Sequence, residues 1–225
     1  MTRDEEVFAR ARPWLGWLVI SGGIPATRPD VQSISERLLK TVDPSLAPVW
    51  IDPEGEPAPG LEDMIEDMEL LLSAPIERLE PGDDMPGAEI EVGLILIVGR
   101  NLDRWLETLG STPAGDWVAD RLDAGVVVFA GAAAAAVLGD RIFPDGADSP
   151  GCPGLGWLPG AVLLPGVSDP VDYPEVREYL TKTDHSYALG LQEGTAVAIG
   201  PQGQVEVWTG EPPRIVLGRG WIRDE

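Results

Sequence analysis

The sequence predicts an α/β fold: a doubly wound, mostly parallel sheet flanked by helices, with a β-hairpin-rich C-terminal part. Three observations carry that expectation. The runs EVGLILIVGRN and VVVFAG are nearly continuous apolar stretches, as expected for parallel strands covered on both faces. The segments between such runs place apolar residues at helical spacing. Towards the C-terminus the pattern changes to short strands divided by turn signals such as PQGQ, the mark of hairpins.

The elements follow in order. Residues 5–15 are expected to form a short helix within an N-terminal lead-in of residues 1–15, and the chain then enters LVISGG, an apolar run ending in a glycine turn. VQSISERLLKTV sets Val31, Ile34, Leu38, Leu39 and Val42 at helical spacing, and PVWID is a short strand. LEDMIEDMELLL gathers Leu61, Met64, Ile65, Met68, Leu71 and Leu72 on one helical face, with acids on the other. EVGLILIVGRN is the next strand, and Leu102, Trp105, Leu106 and Leu109 mark an amphipathic helix after it. A second helix around AGDWVADRLDAG stops at Gly125, and VVVFAG is a buried strand. Residues 144–160 form a Pro/Gly-rich loop. A helix near YPEVREYL and strands at YALGL, TAVAIG, QVEVWTG and RIVLG complete the chain. With neither an internal repeat nor a long linker, residues 1–225 are expected to form a single α/β domain.

Composition narrows the functions. Thirty-eight acidic against 16 basic residues give a net charge of −22. That balance argues against partners that are nucleic acids or anionic membranes, because both need Lys and Arg to neutralise phosphate. A cationic partner stays open, and solubility through mutual repulsion is the simpler reading. The start, MTRDEEVFARARP, has no apolar signal core and no apolar run is long enough to span a membrane, so a cytoplasmic location is expected. Cys152 is the only cysteine and His185 the only histidine. An internal disulfide and a multi-cysteine metal site are thereby excluded, and any nucleophile–imidazole pair must use His185. Glu54, Glu56, Asp83, Asp84 and the acids of residues 62–69 match no calcium-loop spacing, so neither metal nor cofactor is expected.

Ligands of open α/β sheets bind beyond the carboxyl ends of the strands. Three such ends stand out: Ser21-Gly22-Gly23, Gly99-Arg100-Asn101 and Ala130-Gly131-Ala132. With their neighbours, and with GLGWLPG (residues 154–160) and LGLQEGTAVAIGPQGQVEVWTG downstream, they resemble the cyanophycinase and dipeptidase E (aspartyl dipeptidase) family of the class I glutamine-amidotransferase-like fold. The likeness runs over most of residues 16–218.

That resemblance implies amide hydrolysis by a serine on a sharp strand-to-helix turn, activated by histidine and served by oxyanion donors. The present residues depart from it. The serine position falls on Ala133 or a neighbour, and every residue from Ala132 to Ala136 is alanine. The stretch where the family carries histidine reads Leu163-Leu164-Pro165-Gly166-Val167, and Arg100 replaces a turn glycine. Asn101 and Glu193 match family positions.

The expectation is therefore a non-catalytic homologue of these peptidases, kept for ligand binding, assembly or regulation. Its vestigial nucleophile position is Ala133, and its candidate cleft comprises Gly22, Gly23, Gly99, Arg100, Asn101, Gly131, Ala132, Ala133, Trp157 and Glu193. One alternative is an active hydrolase of acidic or Asp/Arg peptides that uses relocated residues, for which Ser149, Cys152 and His185 are the only materials. Another is a structural subunit of a homo-oligomer; family analogy points to a homodimer. Trp157 and Trp221 are the tryptophans placed best for exposed contacts, whereas Trp105 and Trp117 lie on apolar helical faces.

Overall fold

The computed structural model describes residues 14–23, 32–53, 60–82, 85–87, 91–144, 151–208 and 212–221. Strand β1 (Trp17–Ser21) arises from the LVISGG run. Helix α1 (Gln32–Thr41), β2 (Ala47–Ile51), α2 (Leu61–Leu72), β3 (Glu77–Leu79) and β4 (Val92–Gly99) follow. Helices α3 (Leu102–Ser111) and α4 (Pro113–Asp123) lead to β5 (Val127–Ala132) and the short α5 (Ala133–Val137). A ribbon of β6 (Arg141–Ile142) and β7 (Cys152–Pro153) precedes β8 (Ala161–Pro165) and α6 (Pro174–Lys182). The chain ends with β9 (Tyr187–Leu191), β10 (Ala196–Ile199), β11 (Val205–Val207) and β12 (Arg214–Leu217).

Seven strands make the main sheet, in the order β11-β10-β1-β5-β4-β2-β3. The five from β1 to β3 are mutually parallel, and β10 and β11 add an antiparallel edge. The continuous apolar strands follow from helices on both faces. On one face Leu18, Ile20, Ile95, Ile97, Val128 and Ala130 pack with Trp105 and Leu109 of α3 and Val118 and Leu122 of α4. On the other, Val19, Leu94, Leu96, Val98 and Phe129 meet Ile34 and Leu38 of α1 and Leu61, Met64 and Met68 of α2. Each Val, Leu, Ile, Phe or Met side chain among them, fully buried, contributes about 1.5–3 kcal/mol.

Caps place the helices near the site. The Asn101 Oδ1 accepts from the Arg104 N–H at 3.2 Å and starts α3. The Thr112 hydroxyl accepts from the Ala114 N–H at 3.2 Å, and Pro113 opens α4. Gly125, with φ 105°, carries the chain from α4 towards β5.

Several details differ from the sequence expectation. Trp14 and Leu15 lie outside any helix, and residues 5–13 of the expected lead-in helix fall outside the described residues. Leu39 is 40% exposed, because its neighbour Leu38 takes the inward position on α1. Within the expected loop 144–160, of which 145–150 are outside the described residues, β7 pairs with β6 and Leu158 bridges to Gly139. The C-terminal strands do not all join one antiparallel sheet. β10 and β11 form the expected hairpin, while β9 pairs in parallel with β8 and antiparallel with β12, in a separate three-stranded sheet.

Candidate functional site

The parallel register brings the three glycine-bearing strand ends to one level. Gly131 of β5 lies opposite Ser21 of β1 and Val98 of β4, and Ala132 lies opposite Gly99. Small residues are a steric requirement there. A Cβ on Gly131 would stand 2.9 Å from the Gly23 carbonyl oxygen and 3.0 Å from Val98 Cγ1. A Cβ on Gly22 would collide with the carbonyl oxygens of Leu191 and Gln192. Ser21 is buried, and its hydroxyl donates to the Thr195 carbonyl at 3.3 Å, so it ties the turn together.

Between β5 and α5 the chain turns within one residue. Ala132 adopts φ 54°, ψ −130°, a region sparsely populated by residues with a Cβ, while Ala133 begins α5. The strained position thus falls one residue before Ala133, the position read from the sequence. Sequence reasoning cannot locate strain inside a run of identical alanines. Such strain costs about 1–3 kcal/mol and persists only where surrounding packing imposes it. Here Ala134 to Val137 are buried behind the turn.

The turn opens on a cleft of about 590 Å³. Gly22, Arg100, Ala132 and Ala133 line it. Gly23, Gly99, Asn101, Gly131, Trp157 and Glu193 are not among its described walls. Gly131 is buried at the end of β5, against the Gly23 carbonyl. The side chain of Asn101 is used in capping α3, and Gly99 makes room for the Trp105 indole. Glu193 sits beside Gly23, and Trp157 is half-buried against the main core.

The remaining walls come from segments the sequence reading did not join. They include Leu102 at the start of α3, Ile142 and Phe143 after β6, and Tyr173 before α6. Leu163, Leu164, Pro165 and Val167 also face the cleft, and they belong to the stretch where the resemblance implies a histidine. The one signal in the sequence for that stretch was the resemblance, which sets a histidine there. Phe143 is braced edge-on by Tyr179, with centroids 6.0 Å apart, and the Tyr179 hydroxyl donates to Asp140 at 3.0 Å. Burial, followed by that bond and the carboxylate charge, pushes the Tyr179 phenol up to about 12. Arg100 is exposed, and neither its guanidinium nor the Tyr173 hydroxyl has a hydrogen-bond partner among the described residues.

Of the proposed relocated residues, the two that are described, Cys152 and His185, share no hydrogen bond. Cys152 lies in the β6–β7 ribbon, and His185 lies before β9. There the imidazole packs edge-on against Trp221 at 5.8 Å, and no hydrogen bond joins it to Cys152. Its neighbour Asp184 is held below the usual carboxylate range by its bond to Arg219 at 2.5 Å. Ser149 lies outside the described residues. Trp221 donates to the Ser186 carbonyl at 2.8 Å and is partly buried against Tyr187. Trp105 and Trp117 are buried, as their spacing predicted.

Among the described residues no three His, Cys, Asp or Glu side chains converge as metal ligands would. Glu62, Asp63 and Glu66 point outward from α2, whereas Glu69 accepts from the Ile76 N–H at 2.8 Å. Glu54, Glu56, Asp83 and Asp84 lie outside the described residues. Among those described, no helix is long and apolar enough to cross a membrane.

The chain thus combines a mostly parallel sheet covered by helices on both faces with a strained strand-to-helix turn at its carboxyl rim. Solved structures agree. The chain is similar to a peptidase from an acI-B1 actinobacterium, with 16% identity over 91% of this chain and 95% of that one, at a TM-score of 0.63. It is also similar to a candidate peptidase E protein from Listeria monocytogenes EGD-e, with 14% identity over 85% and 97%, at a TM-score of 0.60. These likenesses establish a peptidase-type fold. No protein-family model and no curated protein matches the chain by sequence.

Proposed function

We propose that this chain is a non-catalytic relative of the peptidases whose fold it shares, and that it holds a ligand in the cleft at Ala132. One observation carries the reading: the strained turn and its open cleft are both present, but the residue at the turn ends in a methyl group. A serine peptidase needs a nucleophile there and a base within hydrogen-bond reach of it. The described walls hold neither Ser, Cys, His, Asp nor Glu. Strain of about 1–3 kcal/mol held in place without a nucleophile favours retention of the cleft itself over simple decay of the site.

Steady-state assays with N-terminal aspartyl dipeptides, Asp/Arg dipeptides and aminoacyl anilides test this. Turnover at the level of the buffer blank is expected. Turnover that disappears in the combined Ser149→Ala, Cys152→Ala, His185→Ala variant would replace the proposal with a relocated catalytic site. Turnover that survives in that variant would defeat the account of the cleft altogether.

A further inference from the structure

Resting on the non-catalytic reading above, we infer that the cleft takes an amphipathic monocarboxylate: an aliphatic chain of medium length whose single carboxylate is bound by Arg100. The cavity, at about 590 Å³, is of ligand size. Its walls are apolar over most of their extent, from Leu102, Ile142, Phe143 and Leu163. Among the described lining residues Arg100 is the only charged one, and Tyr173 supplies the only side-chain hydroxyl. Among the described residues neither side chain has a hydrogen-bond partner, both line the same cavity, and a guanidinium offers a carboxylate two parallel N–H bonds.

The same inventory argues against a peptide occupant. A dipeptide brings an ammonium group and an amide as well as a carboxylate. The described walls offer no side-chain carboxylate for the ammonium, and an unpaired polar group is costly to bury. A monoanion with an apolar body leaves none of its own groups unmatched. Each methylene placed against the apolar wall should tighten binding by about fourfold.

Amide NMR of the full chain tests this site by site, with the shifts of Ala132, Ala133 and Ala136 as readout. The probes are octanoate, decanoate, 1-octanol, octylammonium and the dipeptide Leu-Leu. Saturable shifts are expected with octanoate, and decanoate, with two more methylenes, should bind about fifteenfold more tightly. 1-Octanol should bind about tenfold more weakly than octanoate, from loss of the charged hydrogen bonds. Octylammonium and Leu-Leu should leave the three alanines unmoved.

Arg100→Gln, at an exposed position, should make octanoate and 1-octanol equivalent. Arg104→Gln, which removes an exposed arginine on α3 paired with Glu107, should change nothing. Equal affinity for octanoate and 1-octanol in the parent protein would overturn the inference, as would charge discrimination that survives Arg100→Gln. Failure of every probe to move the three alanines would do the same. Peptidase turnover inhibited competitively by octanoate would instead overturn the non-catalytic reading and leave the ligand class standing.

Discussion

Ala132→Gly is expected to stabilise the protein, although it deletes a methyl group from a half-buried position. At φ 54°, ψ −130° a residue with a Cβ stores about 1–3 kcal/mol of strain, which glycine does not. Against this, the greater freedom of glycine in the unfolded chain costs roughly 0.5–1 kcal/mol. Losing a half-buried methyl costs about 0.4 kcal/mol more, half of the value for full burial. The balance is a gain of about 1 kcal/mol, or a rise in melting temperature of roughly 2–4 °C for a chain of this size. Ala135→Gly is the matched control. Ala135 is fully buried inside α5, so the same exchange loses helix propensity and a buried methyl, together about 2 kcal/mol of destabilisation. Urea unfolding followed by circular dichroism, with equal slopes for the three proteins, measures both differences. If Ala132→Gly destabilises as much as Ala135→Gly does, the turn is not strained and the argument for a retained elbow fails.

Two further predictions concern the packing around the cleft. Gly22→Ala should cost roughly 1–3 kcal/mol, towards the upper end, because the obstructing carbonyls of Leu191 and Gln192 are backbone atoms that cannot rotate away; a thermal melt indistinguishable from the parent would refute this. The Tyr179 phenol, raised from an ordinary value of about 10 to about 12, stabilises the fold while protonated. Its contribution should be complete below about pH 10 and lost as pH rises through about 12, since the unfolded chain releases that proton first. Tyr179→Phe should flatten the decline between those limits in alkaline unfolding curves, and an unchanged slope would contradict the assignment.

Much of this fold was legible because burial on both faces leaves a plain mark. β4 and β5 read as strands since every residue from Val92 to Gly99 and from Val127 to Gly131 is buried. Helices α3 and α4 were visible through Trp105, Leu109 and Gly125. β3 was invisible in Glu77-Arg78-Leu79, whose strand character comes from pairing with β2 and not from its own pattern. Half of the site was legible too, for glycines at strand ends signal close backbone approach, and Gly22 and Gly131 show the collisions that require them. The other half was not. Phe143, Leu163 and Tyr173 reach the cleft from separate segments, and only the placement of the β8–β9 sheet beside α5 brings them together. Asn101 was read as a wall of the cleft because it follows a strand end. Its place one residue before a helix makes it a cap, a competing use of the same side chain.

Because the substrate of an unrecognised peptidase could escape any panel of peptides, the most direct test of the central claim is made on the nucleophile. Intact mass spectrometry after exposure to a fluorophosphonate, which phosphonylates activated serine hydroxyls whatever their substrate, provides it. The account predicts an unmodified mass under conditions that fully label a serine hydrolase control. A stoichiometric adduct on Ser149, or on any other serine, would show an activated nucleophile and contradict the claim that this chain retains the cleft without the catalyst.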